Sequence, residues 1–378
     1  MTDVLIAAYR RSPFHFAHKG ELVKLRPDDM AAQVARAMVA ATGIDPAEIE
    51  DLILGCAFPE GEQGLNLGKL VAFIAGLPES VGGATVNRFC GSSMQAIHQA
   101  AGAIMMGAGE AFVCAGVESM SRVPMMGFNP MPNPVLAAQY PQAYMAMGET
   151  AENVARRQQI TRADQDGFAL RSQQKAAAAQ AAGRLAAEIV PLEVGGKRVA
   201  ADGCIRADTT AEALAGLKPA FRQDGTVTAG TSSPLTDGAS AVLVCSAAYA
   251  ARRGLTPLAR VKAVAVAGCA PDVMGLGPIL ASRKALARAG IGARDLDVVE
   301  LNEAFASQAL ACLRELGIDE AKVNLDGGAI ALGHPLGATG ARITGKAAAL
   351  LQREGGRYAL ATQCIGGGQG IATVLEAV

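Results

Sequence analysis

The sequence predicts a layered α/β fold made of two similar halves. Hydrophobic residues form 51% of the 378-residue chain and charged residues only 18%, below the roughly 25% of an average soluble protein, so its elements must be extensively buried. Short apolar runs alternate with amphipathic helical stretches, which is typical of strands covered by helices on both faces. The chain also contains an internal duplication, which divides it into two such units.

The duplication is clearest in two segments that align without a gap. Residues 43–58 read GIDPAEIEDLILGCAF, and residues 290–305 read GIGARDLDVVELNEAF. Each predicts a glycine turn, an acidic turn and an apolar strand, and each follows an Ala-rich helical stretch. The alignment places Asn302 where the first copy has Gly55.

A second pair of units begins at Cys90 and at His334. In the first half we expect a helix from residue 92 to about 106 and a strand over 111–115. In the second half we expect a strand before His334, a helix from it to about residue 352, and a strand over 358–362. Such βαβ units predict mainly parallel sheets with right-handed crossovers, packed together through their helices.

A segment of different composition interrupts the first half. Residues 121–147 are too rich in proline for a helix and too apolar for a free linker, so we expect an ordered, packed loop there. Residues 149–182 predict two helices, the second opened by a capping box of Thr161 and Asp164. We therefore expect an N-terminal α/β half (1–118 plus 236–258), an inserted loop domain (119–235) and a C-terminal α/β half (259–378).

Composition excludes several classes of protein. With 34 Lys and Arg against 35 Asp and Glu, no nucleic-acid partner is expected, and no apolar stretch reaches the roughly 18 residues of a membrane span. The start of the chain lacks the pattern of a signal peptide, so we expect a cytoplasmic, reducing location. No metal site is expected, because the eight cysteines are scattered singly: Cys56, Cys90, Cys114, Cys204, Cys245, Cys269, Cys312 and Cys364.

Four residues have surroundings suited to chemistry. Cys90 precedes a predicted helix N-terminus, where free N–H groups and the helix dipole stabilise a thiolate. His334 lies in a glycine-lined turn that a ligand can approach closely, and Cys364 is expected after a strand, in a glycine-rich loop with free N–H groups. Asn302, at a predicted strand end, suits an oxyanion or water site.

Each of these residues also has a purely structural interpretation. Cys90 and Cys364 could be buried packing thiols, His334 a satisfied turn residue, and Asn302 a turn-forming amide. The sequence also leaves open whether Glu303 pairs with His334. The other three histidines, His15, His18 and His98, lack such surroundings and are expected to be structural.

Together these motifs resemble the thiolase family over nearly the whole chain. The matching segments are 87–93 (NRFCGSS), 302–305 (NEAF), 328–335 (GAIALGHP) and 364–370 (CIGGGQG). The details look most like the degradative 3-ketoacyl-CoA thiolases, because Cys90 is followed by Gly-Ser-Ser-Met-Gln. Ala146 stands where acetoacetyl-CoA-forming thiolases usually have a histidine, and 228–233 (TAGTSS) is similar to the coenzyme A-binding turn.

The resemblance implies a fold and a set of roles. The fold would be two duplicated halves with five-stranded mixed sheets in five α-β-α-β-α layers, with an inserted loop domain. Cys90 would be acylated, His334 would activate it, Asn302 would hold a water, and Cys364 would move the α-carbon proton. The N–H groups of Cys90 and Gly366 would form an oxyanion hole. Pantetheine would contact Ser233, and the acyl pocket would be lined by Met147, Met274 and Phe305.

The implied activity is cleavage of 3-ketoacyl-CoA by coenzyme A in fatty-acid β-oxidation, with coenzyme A as co-substrate and no permanently bound cofactor. Alternatives are an acetoacetyl-CoA-forming thiolase, a ketoacyl synthase, a non-catalytic acyl-CoA or sterol-binding relative, and a cysteine hydrolase. The apolar composition predicts a homodimer or homotetramer. A hydratase and dehydrogenase subunit of β-oxidation is a further expected partner.

Overall fold

The computed structural model describes residues 2–378 and contains twelve strands and twelve α-helices within them. The strands are β1 (Val4–Arg11), β2 (His15–Phe16), β3 (Asp51–Gly55), β4 (Gly82–Val86), β5 (Ala111–Ser119), β6 (Leu192–Val194), β7 (Lys197–Val199), β8 (Thr236–Ser246), β9 (Ala259–Gly268), β10 (Val298–Leu301), β11 (Tyr358–Ile365) and β12 (Gln369–Glu376). The helices are α1 (Pro27–Thr42), α2 (Leu67–Ile74), α3 (Ser92–Met106), α4 (Pro134–Gln139), α5 (Met147–Arg157), α6 (Arg162–Ala181), α7 (Ala211–Ala215), α8 (Ala247–Arg253), α9 (Gly277–Ala289), α10 (Ala306–Leu316), α11 (Ala329–Leu332) and α12 (Leu336–Glu354).

One ten-stranded sheet runs through both halves. Its order is β10-β11-β12-β9-β1-β8-β5-β3-β4, with β2 paired to β8, and β6 and β7 form a separate hairpin. The halves join where β1 pairs with β9, at Leu5 with Arg260 and Ile6 with Ala259. The two predicted sheets are thus continuous at one edge.

The sheet is more evenly mixed than the prediction of mainly parallel strands. Parallel pairing links β3 to β4 and β5, and β10 to β11, whereas β8, β9 and β12 pair antiparallel with their neighbours. The reason is local for β11 and β12, which form a hairpin whose turn has Gly367 and Gly368 at φ 79° and 88°. The strand β8 follows the long insertion and fills the space between β1 and β5.

Three hydrophobic clusters define the five predicted layers. The first packs α1 and α2 on one face of the N-terminal strands, and the third packs α9 and α10 on the C-terminal strands. Between them, α3 and α12 pack on each other and on strands of both halves. The α-β-α-β-α arrangement is confirmed, and it places the N-termini of α3 and α12 side by side in the middle layer.

The repeated sequence is also a repeated structure. Gly43 and Gly290 end α1 and α9 with left-handed φ angles of 68° and 70°, and each is followed by a 3₁₀ turn and a strand. The prediction of a strand before His334 is wrong, because residues 329–332 form the single-turn helix α11. Gly333, at φ 105°, ends this turn and redirects the chain into His334.

The insertion contains α4 to α7 and the β6–β7 hairpin. The short helix α4 lies in the proline-rich segment where no helix was expected, because Pro134 stands at its first position, where a helix does not need the missing N–H. The capping box of Thr161 and Asp164 is present at the start of α6. The domain boundaries stay a prediction, although β8 lies in the N-terminal strands and β9 in the C-terminal ones. None of the helices within residues 2–378 combines the length and the apolar character needed to cross a membrane.

Candidate active site

A cavity of about 250 Å³ lies where the two halves and the insertion meet. It brings together three of the four residues to which chemistry was assigned, Cys90, His334 and Cys364, and the fourth, Asn302, lies directly behind His334. All four predicted binding residues also line it: Ser233, Met147, Met274 and Phe305. Further lining residues that the sequence did not indicate include Met120, Met125, Phe221, Leu235 and Leu336.

A tight turn presents Cys90 to the cavity. Phe89 has a left-handed φ of 43°, which is uncommon for a residue with a large side chain, and Gly91 is the N-cap of α3. Ser92 fixes the turn, since its Oγ accepts the N–H of Arg88 at 2.9 Å and donates to the carbonyl of Phe89 at 2.6 Å. The expected position of Cys90 directly before a helix N-terminus is confirmed.

The surroundings of Cys90 favour its protonated thiol at neutral pH. Burial raises its pKa to about 12, and the Glu118 carboxylate adds to the increase, whereas the N–H groups of Gly366 and of Cys90 itself oppose it. The helix N-terminus therefore does not by itself produce the thiolate that the sequence led us to expect. Nucleophilic attack requires a base, and the two N–H groups mark a place where negative charge would be stabilised.

His334 supplies an uncharged imidazole. Its Nδ1 lies 2.6 Å from Thr339 Oγ1, and its backbone N–H donates to Thr236 Oγ1 at 3.0 Å. Burial lowers the pKa of His334 to about 3, with a further contribution from the nearby Arg342 guanidinium. A neutral imidazole at pH 7 can accept a proton.

Asn302 contacts the imidazole from its other side. It follows β10, and its Nδ2 lies 3.4 Å from His334 Nε2. Its backbone N–H donates to Thr362 on β11 at 3.0 Å, while its buried Oδ1 has no partner. Since Gly55 at the equivalent position of the first copy has no side chain, this polar group exists only in the second half.

Cys364 lies inside β11 and not in the following loop where it was expected, because β11 extends through Ile365 and pairs Cys364 with Gly370 of β12. Its side chain is almost fully buried. Burial raises its pKa well above the ordinary value, and the proximity of the Cys90 sulfur raises it further. Two protonated thiols therefore face one cavity, beside one neutral base. Gly366 lies beside Met147, since a Cβ there would lie 3.4 Å from the Met147 sulfur.

The rest of the cavity wall is apolar. Met147, Met274 and Phe305 belong to the same hydrophobic cluster as Cys364, and Phe305 meets Phe221 edge-on with ring centroids 5.9 Å apart. Ser233 donates through both its N–H and its Oγ to the Ala304 carbonyl, at 3.0 and 3.2 Å. The described residues that line the cavity include no lysine, arginine, aspartate or glutamate.

Glu303 does not pair with His334. Its carboxylate accepts hydrogen bonds from Ser172 Oγ at 2.6 Å, Asn324 Nδ2 at 2.7 Å and the Ile330 N–H at 3.2 Å. It therefore anchors α6 and α11 and is not part of the acid-base apparatus. His15 and His98 bond to Ala201 O and Thr373 Oγ1, in agreement with their expected structural roles.

Two contact residues were missed from the sequence. Thr339 could have been found as a hydroxyl in the first turn of the helix that follows His334. Gln363, which donates to the Cys90 carbonyl, is 273 positions away in sequence and gave no signal. Within residues 2–378 no group of three His, Cys, Asp or Glu side chains could hold a metal ion.

Comparison with known proteins assigns the family. The thiolase N-terminal domain model matches residues 4–248 and the thiolase C-terminal domain model matches residues 255–377. The chain is 46% identical over 389 residues to a 3-ketoacyl-CoA thiolase of Bacillus subtilis, with full coverage of both proteins. It is 48% identical over 404 residues to the 3-oxoadipyl-CoA/3-oxo-5,6-dehydrosuberyl-CoA thiolase of Escherichia coli, again with full coverage.

Solved structures give the same result. Human mitochondrial 3-ketoacyl-CoA thiolase, whose structure is also known in complex with CoA, superimposes with a TM-score of 0.92 at 38% sequence identity. The match covers 100% of this chain and 98 to 99% of the human chains. The chain belongs to the thiolase family.

Proposed function

We propose that the protein cleaves linear 3-ketoacyl-CoA with coenzyme A, giving acetyl-CoA and an acyl-CoA two carbons shorter, as in fatty-acid β-oxidation. The observation that carries this proposal is the convergence of Cys90, His334 and Cys364 on one apolar cavity. The relatives named 3-ketoacyl-CoA thiolase support the same reaction.

The first step joins Cys90 to C3 of the substrate; the acyl-enzyme itself forms when the bond between C2 and C3 breaks in the next step. His334 Nε2 takes the Cys90 proton, and the thiolate attacks the C3 carbonyl of the substrate. The N–H groups of Cys90 and Gly366, which point at the sulfur in the empty site, stabilise the developing C3 alkoxide. Such donors contribute roughly 3–4 kcal/mol each to an acyl-transfer barrier.

The second step breaks the bond between C2 and C3. The electron pair passes to an acetyl-CoA enolate, whose oxygen is stabilised by protonated His334 and by a water held by Asn302. Cys364 then gives its proton to C2, which completes acetyl-CoA and leaves a Cys364 thiolate. Transfer of the proton from His334 to this thiolate restores both groups.

The third step releases the shortened acyl chain. His334 takes the proton of a coenzyme A thiol, whose thiolate attacks the acyl group on Cys90. The Cys90 thiolate leaves and regains the proton from His334. Ser233, at the cavity rim, is proposed to contact the pantetheine arm, while Met147, Met274 and Phe305 surround the acyl chain.

The cavity wall favours an uncharged acyl chain. No charged side chain among the described lining residues could pair with the terminal carboxylate of a 3-oxoadipyl chain, the substrate named for one relative. Ala146 leaves the cavity without the histidine that acetoacetyl-CoA-forming thiolases usually carry there. Both observations support longer hydrocarbon chains as substrates.

The deciding experiment is thiolysis of a series of 3-ketoacyl-CoAs, followed by loss of their absorbance after coenzyme A is added. We expect kcat/KM to be higher for uncharged chains of about six or more carbons than for acetoacetyl-CoA or 3-oxoadipyl-CoA. Binding of acyl-CoA without turnover of any substrate would indicate a non-catalytic relative. Acyl-CoA hydrolysis that does not depend on coenzyme A would indicate a hydrolase.

Association of two copies is proposed as well. The strand β4 forms an open edge of the sheet, and the neighbouring Leu65 and Met106 are 88% and 84% exposed. A homodimer would cover such an edge, and a monomeric mass by sedimentation would refute it.

All eight cysteines are free thiols, which supports the proposed cytoplasmic location. The association with a hydratase and dehydrogenase subunit stays a prediction.

A further inference from the structure

We infer that Thr339 is a positioning residue that fixes which nitrogen of neutral His334 carries the proton, so that Nε2 is the free base when each proton transfer begins. The inference rests on the proposed function, since it concerns the histidine to which that function assigns proton transfer. Thr339 itself does not line the cavity and would act only through the imidazole.

The contacts on the two sides of the ring favour the same tautomer. Thr339 Oγ1 lies 2.6 Å from Nδ1 and donates its single proton to the Pro335 carbonyl at 3.1 Å, so its lone pair faces Nδ1. On the opposite side the Asn302 amide nitrogen, a donor, lies 3.4 Å from Nε2. Both contacts are satisfied when Nδ1 carries the hydrogen and Nε2 carries a lone pair.

No carboxylate shares this task. Glu303, the acidic residue nearest in sequence to Asn302, is occupied by Ser172, Asn324 and the Ile330 N–H. A hydroxyl orients the ring without adding negative charge, so the imidazole stays neutral in its buried position, as its pKa of about 3 also requires. Thr339 is 1% exposed and held in the first turn of α12, which makes the hydroxyl a rigid partner.

Removing the hydroxyl would free the other tautomer. Thr339→Val keeps the shape of the side chain but lets the ring carry its hydrogen on Nε2. That nitrogen could then not accept a proton from Cys90 or coenzyme A. We expect kcat for thiolysis to fall by roughly 10- to 100-fold, as for other residues that orient a histidine, with KM nearly unchanged. Thr339→Ser, which restores the oxygen, should recover most of the rate.

Thr344→Val is the matched control. Thr344 is a buried threonine of the same helix, and its Oγ1 also donates to the carbonyl four residues earlier, at 2.8 Å, but it has no contact with His334. It should lose as much stability as Thr339→Val while keeping its kcat. Equal losses of kcat in the two valine variants would assign Thr339 a structural role only and overturn the inference.

A measurement independent of activity separates the inference from the proposed function. Nitrogen NMR of protein labelled in its four histidines, with the His334 signals assigned from a His334→Asn variant, reports which ring nitrogen is protonated. We expect protonated Nδ1 and bare Nε2 in the unsubstituted protein, and an increased share of the other tautomer in Thr339→Val. Protonated Nε2 in the unsubstituted protein would refute the inference, whether or not the protein catalyses thiolysis.

Discussion

The reactivity of Cys90 depends on its partners more than on its place before α3. Because burial raises the pKa of the Cys90 thiol to about 12, and burial lowers that of His334 to about 3, an imidazolium–thiolate pair is unfavourable in the empty site. We therefore expect the rate of Cys90 alkylation by iodoacetamide to rise about tenfold per pH unit from pH 7 to 10, because only the thiolate reacts. Mass spectrometry of the labelled peptide gives the rate. A plateau below pH 7 would contradict this expectation.

Replacing Cys90 and replacing Cys364 are expected to block different steps of the reaction. Cys90→Ala removes the nucleophile, so incubation with an acyl-CoA should give no acyl adduct in the intact mass. Cys364→Ala removes only the proton donor for C2, so slow acylation of Cys90 should remain while overall thiolysis is lost. A Cys364→Ala variant with full turnover would refute the role of the second thiol. Cys114→Ala, a buried cysteine distant from the cavity lining, serves as the control.

At the scale of elements, the contact between α3 and α12 depends on small residues. An added Cβ at Gly340 would lie 2.3 Å from the backbone nitrogen of Met94, which cannot move without displacing the whole of α3. Gly340→Ala should therefore lower the free energy of unfolding by about 1–3 kcal/mol. Gly102→Ala is the control, because nothing lies within 4 Å of its added Cβ and it should stabilise α3 by about 0.5–1 kcal/mol. Urea denaturation measures the free energy of unfolding of both variants. Equal changes in the two variants would show that the contact between α3 and α12 does not depend on glycine at position 340.

Local patterns explain which elements could be predicted from the sequence. The bounds of α3, α12 and β10 follow from apolar periodicity and glycine caps, and the repeat places Asn302 at a strand end. The turn at 329–332 was mistaken for a strand because a short apolar run has no period that separates strand from helix. The antiparallel pairing of β8 depends on residues more than a hundred positions apart, which no local pattern contains.

The active-site contacts also divide into those that local sequence patterns predict and those that depend on packing between distant segments. Cys90, His334 and Cys364 were identifiable because each stands next to glycines at the end of an apolar run. The hydrogen bond between Gln363 and the Cys90 carbonyl exists only after the two halves have packed. The donors of Glu303 likewise come together only when the insertion packs on the folded C-terminal half. Partners of this kind cannot be identified without the structure.

At the scale of the whole molecule, a buried ionic network ties the insertion to both halves. Arg11 on β1 pairs with Asp202 and Glu188 of the insertion, and Lys346 on α12 pairs with Glu188 and Asp326. The Arg11, Asp202 and Lys346 side chains are 0%, 0% and 6% exposed. Since each charge is paired, removing one member would leave another buried and uncompensated.

Asp326 allows a test of this network through pH. Burial alone would raise its pKa, but Arg353, Lys346 and Arg184 lower it to about 2, so the carboxylate stabilises the fold above about pH 4 and this contribution is lost as the pH falls towards 2. Asp326→Asn should lower the free energy of unfolding by about 3 kcal/mol at pH 7, and the difference from the unsubstituted protein should shrink below pH 4.

The matched control is Glu21→Gln, which breaks the exposed pair with Lys197 and should leave stability close to unchanged at every pH. Urea denaturation at several pH values measures both variants. If Asp326→Asn were as stable as the unsubstituted protein at pH 7, the charge of Asp326 would contribute nothing to the stability of the fold. A deficit that stayed constant down to pH 2 would mean that the side-chain shape of Asp326, and not its charge, stabilises the junction.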